Sequence, residues 1–141
     1  MTNSAEAILR WEPLPNLPEH PVGSIDIAYR DGSLIAIASY AIEPPLKGVR
    51  LDFGRVEAFK VYEEFSDPWV GSSLPQPMIN NDRLNRWAWP LQQVSNSSWV
   101  ARVLSRNSPL DYREWRHLVV VTMDVTLHVM VDFEPEVEVI S

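Results

Sequence analysis

The sequence predicts an α+β protein: an antiparallel, strongly curved sheet or partly open barrel of about six strands, with one main helix. Three observations carry this. Short apolar–polar alternations recur along the chain, turn residues separate them at hairpin spacing, and only one segment has the three-to-four-residue apolar spacing of a helix.

The first 21 residues stand apart. Pro13, Pro15, Pro18 and Pro21 follow in quick succession, with Trp11, Leu14 and Leu17 between them. Proline fixes φ and lacks an N–H, so residues 1–21 read as an extended proline-rich arm lying over a single antiparallel-sheet domain of residues 22–141.

In residues 22–42, Ile25, Ile27 and Tyr29 alternate with Asp26, Ala28 and Arg30, then Asp31-Gly32 precedes a second run from Leu34 to Ile42. Asp-Gly suits a type I′ turn, whose central residues both need positive φ. Pairing Arg30 with Ser33 sets Tyr29 opposite Leu34, Ile27 opposite Ala36 and Ile25 opposite Ala38, so large residues meet small ones. Residues 49–65 give one long strand or two short ones, with Gly54 marking a bulge. Residues 66–95 are broken by Pro68, Gly71, Pro75, Pro77 and Pro90.

Residues 97–106 read as a helix. Ser97 or Ser98 supplies the cap, and the pairs Trp99/Val103 and Val100/Leu104 fall four apart on one stripe. Residues 116–133 read as a second hairpin turning at Met123-Asp124. One face carries Leu118, Val120, Val125, Leu127, Val129 and Val131. The opposite face carries His117, Val119, Val121, Thr126, His128 and Met130, which is too apolar for bare solvent and too polar for a dry core. That face needs a cover: the helix, the arm or a second subunit. Glu136 to Ile140 forms a short alternating strand, whose glutamates suit an exposed edge.

Composition excludes several functions. The 141 residues carry 19 acidic and 12 basic side chains, a net charge of −7, and no cysteine. Thiolate metal sites, disulfides and cysteine nucleophiles are ruled out. General binding to nucleic acid is disfavoured, because a polyphosphate must be met by excess Lys and Arg. The N-terminal residues have no basic-then-apolar leader, and no apolar run approaches the roughly 20 residues that span a bilayer. The expectation is a cytoplasmic protein without a membrane partner.

The charge is uneven. Residues 67–106 hold Asp67 and Asp82 against Arg83, Arg86, Arg102 and Arg106, a local +2 that leaves −9 for the rest. Trp69, Trp87, Trp89 and Trp99 lie in the same stretch. Trp and Arg are favoured interface anchors, so Arg83, Arg86, Trp87, Trp89 and Trp99 are the predicted binding residues. A barrel plug or a homodimer seam are the competing uses of the segment. His117 and His128 stand diagonally on one hairpin face, with Asp132 as the nearest third donor, so they are the metal-ligand candidates. Glu134, Glu136 and Glu138 share a face without a calcium-loop pattern and read as a solvated edge. There is no G-x-S-x-G and no phosphate-binding glycine loop. No catalytic residue and no cofactor is assigned.

The overall expectation is a non-enzymatic protein that binds a protein partner or itself through a Trp/Arg-rich surface. The alternatives are a binder of small apolar ligands in the mouth of a curved sheet and a His-dependent metal hydrolase. Trp89-Pro90-Leu91, then Val94-Ser95-Asn96-Ser97-Ser98-Trp99, then His117 to Thr122 and Leu127-His128-Val129 resemble a bacterial family of small proteins of unknown function. In acidity and size the chain also resembles immunity proteins of bacterial toxin systems. The first resemblance implies no activity, and the second implies binding to a protein.

Overall fold

The computed structural model describes residues 6–41, 47–63, 78–79, 89–106 and 113–141. Within them the chain forms β1 (Ala7–Arg10), β2 (Val22–Arg30), β3 (Ser33–Tyr40), β4 (Gly48–Arg55), β5 (Ala58–Glu63), β6 (Met78–Ile79), β7 (Leu91–Ser95), α1 (Ser98–Arg106), β8 (Arg116–Val121), β9 (Val125–Val131) and β10 (Glu136–Ile140).

The class is α+β with mostly antiparallel strands, as expected. The single curved sheet of about six strands is corrected: the strands divide into a six-stranded sheet, ordered β5-β9-β8-β7-β1-β6, and a four-stranded sheet, ordered β10-β4-β3-β2. The reason lies between β4 and β5. Gly54 takes a φ of 60°, and the β3–β4 register slips there, pairing Leu34 with Gly54 but Ile35 with Asp52. This is the bulge expected at Gly54. Three residues later the chain has left the smaller sheet, and β5 pairs with β9 in the larger one.

The first hairpin has the predicted register, from Arg30 opposite Ser33 to Ile25 opposite Ala38. Its turn residues Asp31 and Gly32 have φ of 54° and 85°, the left-handed pair a type I′ turn requires. The second hairpin also keeps its predicted register: His117 faces Met130 and Val119 faces His128. Thr122 closes it, accepting the Val125 and Asp124 N–H groups on Oγ1 and donating to the Val125 carbonyl.

The alternations now find their partners. Leu34, Ala36 and Ala38 of β3 and Val49, Leu51 and Phe53 of β4 form one wall of the core. Leu118 and Val120 of β8 and Leu127, Val129 and Val131 of β9 form the other. Each buried Leu, Val or Phe among them contributes about 1.5–3 kcal/mol through loss of contact with water. Trp11 and Leu17 join this core from the proline-rich segment, while Ala7–Arg10 just before them is a strand between β7 and β6. The exposed glutamates of β10 do lie on an edge: among the described strands β10 pairs with β4 alone. No helix among the described residues is long and apolar enough to cross a membrane.

Candidate functional site

The larger sheet is covered on both sides. Its inner face meets the smaller sheet, and its outer face carries His117, Val119, Val121, Thr126, His128 and Met130, all buried. Helix α1 supplies cover for the two histidines.

Local chemistry fixes the helix there. The Ser97 carbonyl accepts the Ala101 N–H at 3.1 Å. Its Oγ accepts the Val100 N–H at 3.1 Å, so Ser97 is the N-cap. The same Oγ lies 2.7 Å from Nδ1 of His117. Nε2 of His117 lies 2.8 Å from Nδ1 of His128. Both rings are 1% exposed. A hydrogen-bonded chain therefore runs from the cap of α1 through the two imidazoles into the sheet. Glu6 accepts the Ser98 N–H at the same helix end.

The indole of Trp99 stands edge-on to His117 and His128, with centroids 4.9 and 6.2 Å away. Tyr62 of β5 approaches His128 in the same manner at 5.7 Å. The Lys60 ammonium lies 4.6 Å from the Trp99 ring centre and 5.3 Å from that of Tyr62. Lys60 and Tyr62 are two apart on β5, opposite His128 and Thr126, so both project from the outer face.

Helix α1 thus forms a ridge with a cleft on each flank. One cleft, about 390 Å³, is lined by Lys60 and Tyr62 of β5 and by Trp99, Arg102, Val103 and Arg106 of α1. The other, about 540 Å³, is lined by residues including Val94, Ser97, Val100, Leu104, Trp115 and His117.

The predicted binding residues fall in three places. Trp99 is on the ridge, half-buried. Trp89 is in the core, 3% exposed, with its indole N–H donated to the Trp11 carbonyl at 3.0 Å and the Arg10 guanidinium 3.8 Å from its ring centre. It packs between the sheets, away from Trp99. Arg83, Arg86 and Trp87 lie outside the described residues, as does Trp69.

The metal candidates do not assemble. The diagonal placement of His117 and His128 is as expected, but their facing nitrogens bond to each other. Asp132 pairs with Arg113 instead. Among the described residues no group of three or more His, Cys, Asp or Glu side chains is placed to hold a metal ion.

Sequence reasoning did not single out Lys60, Tyr62, Arg102 or Arg106 as site residues. The four-residue spacing of the two arginines on a predicted helix was the available signal. Comparison with protein-family models, with curated proteins and with solved structures finds no match for this chain.

Proposed function

We propose that the protein is a non-enzymatic binding protein whose contact surface is the ridge of α1 and its flanks, with Trp99 at the centre. One observation carries this reading. In a chain of net charge −7, the ridge presents Arg102 and Arg106 beside a half-buried tryptophan, and among the described residues neither arginine has a carboxylate partner. Arg10, Arg50, Arg113 and Arg116 all have one. Trp and Arg side by side are the residue types that carry binding energy in protein interfaces. The partner is a protein, and a second copy of the chain is the simplest such partner.

The test is sedimentation equilibrium together with affinity capture, using wild type, W99A, W87A and R86A, each checked for folding by circular dichroism. The reading expects a self-association or a captured partner that folded W99A loses. Identical behaviour of wild type and folded W99A would overturn it.

A second reading has its own support. The cleft on the other flank is of small-ligand size, and it sets Val94, Val100, Leu104 and Trp115 beside the polar Asn96, Ser97 and His117. A small apolar ligand would bind there, outside the sheet. Native mass spectrometry of the purified protein tests this, with a retained ligand expected.

A further inference from the structure

We infer that the cleft between β5 and α1 is a binding site for an organic oxyanion, a carboxylate or phosphate carried on an apolar body. This rests on the reading of the α1 ridge as the contact surface and names the chemistry that the ridge recognises.

Three cations converge on the cleft: Lys60 from β5, and Arg102 and Arg106 from successive turns of α1. Like charges four residues apart on a helix repel each other. A neighbouring carboxylate would relieve that repulsion. Among the described residues none pairs with Arg102 or Arg106. Arg106 lies in the last turn of α1, where the helix dipole favours a cation. Arg102 lies outside that turn and gains no such benefit. A bound anion accounts for both.

The Lys60 ammonium is held in place before any ligand arrives. It lies within cation–π range of Trp99 and Tyr62. Those rings are held in turn by His128, which both meet edge-on. The cations are therefore mounted on a rigid base, which lowers the entropic cost of binding. Guanidinium groups recognise carboxylate and phosphate oxygens through paired N–H donors.

The apolar part of the ligand is also provided for. Among the described residues Val103, Trp99 and Tyr62 also line the cleft, and the volume of about 390 Å³ is that of a small-molecule site. A long polyanion is excluded by the acidity of the rest of the chain, whereas a compact anion meets only the local field.

The experiment is calorimetric titration of the full chain with phenyl phosphate, benzoate, inorganic phosphate and benzyl alcohol. It is paired with NMR observation of the Trp99 indole N–H, assigned with W99F. We expect one saturable site for phenyl phosphate or benzoate, about tenfold or more tighter than for benzyl alcohol or inorganic phosphate, with the Trp99 signal shifting. The tighter of the two arms tells whether the oxyanion is a phosphate or a carboxylate. R102Q/R106Q, exposed on the helix and unchanged in melting, should weaken binding about tenfold or more. R102Q alone should account for a large part of that loss.

No saturable binding of either anion, equal binding of benzyl alcohol, or unchanged binding by R102Q/R106Q would overturn the inference. Failure of every titration alongside capture that still depends on Trp99 would overturn the anion site and leave the contact surface standing. Loss of Trp99-dependent capture with intact anion binding would do the reverse.

Discussion

Nε2 of His117 lies 2.8 Å from Nδ1 of His128 beneath the indole of Trp99. Across that contact one ring must donate and the other accept. With one N–H on each ring, two arrangements satisfy the chain that begins at Ser97, and they run in opposite directions. The pair therefore couples the cap of α1 to the centre of the larger sheet, and its worth is positional.

Ser97 is where that coupling is most easily cut. S97A removes the cap acceptor and the partner of His117 in one change. It should cost about 1–2 kcal/mol in urea unfolding. A cycle with H117A should show that the two losses do not add, with a coupling of roughly 0.5–3 kcal/mol. Simple additivity would mean that the serine caps the helix and does nothing more.

Trp89 and Trp99 should separate stability from binding. Trp89 is a core residue, so W89A should cost about 3–5 kcal/mol. W99A removes a half-buried ring and should cost clearly less while abolishing contact at the ridge. Thermal melts of the two variants, run beside the binding assay, check the contrast.

How far these roles were legible in the sequence depends on the range of the interaction. The register of the first hairpin follows from Asp31-Gly32 as far as Ser24 opposite Ser39, because a two-residue turn fixes the pairs beyond it until the slip at Val22, which faces Tyr40. The diagonal of His117 and His128 follows from the period-two geometry of a strand once Thr122 is set opposite Val125. Strand β7 was hidden because Gln92 and Gln93 obscure its alternation. In the fold their amides serve the backbone, Gln92 donating to the Trp89 carbonyl and Gln93 to that of Arg10. Alternation shows which face of a strand is apolar but not which sheet receives it, so the division into two sheets was not legible. The cleft was hidden for the same reason. Lys60 and Tyr62 reach Arg102 only because β5 lies beside β9, beneath the flank of the helix.

Gly54 makes the crossing between the sheets. Its φ of 60° is left-handed, and a Cβ there would sit 3.1 Å from the Phe133 ring. G54A should therefore cost about 1–2 kcal/mol, from backbone strain of the αL kind plus displacement of that ring. R55A, one residue further on and exposed, should change the urea midpoint little.

Tyr40 gives the fold an alkaline limit. Burial pushes its hydroxyl from 10.0 up to about 12. The unfolded chain thus releases this proton first as pH rises. The stabilisation is complete below the unfolded value of about 10 and is lost as pH climbs towards the folded value. Urea midpoints measured between about pH 8.5 and 11.5 should fall for wild type above about pH 10. Y40F should lack that part of the fall.

The charge on α1 tests the central claim most directly. Arg102 and Arg106 are exposed on the ridge, while Arg30 and Arg55 are exposed at the end of the first hairpin and likewise have no carboxylate partner among the described residues. Binding to a captured partner or a second copy should be compared between wild type, R102E/R106E and R30E/R55E at matched stability. The account predicts loss in R102E/R106E and near-wild-type binding in R30E/R55E. Undiminished binding by R102E/R106E, or equal loss in both, would contradict it.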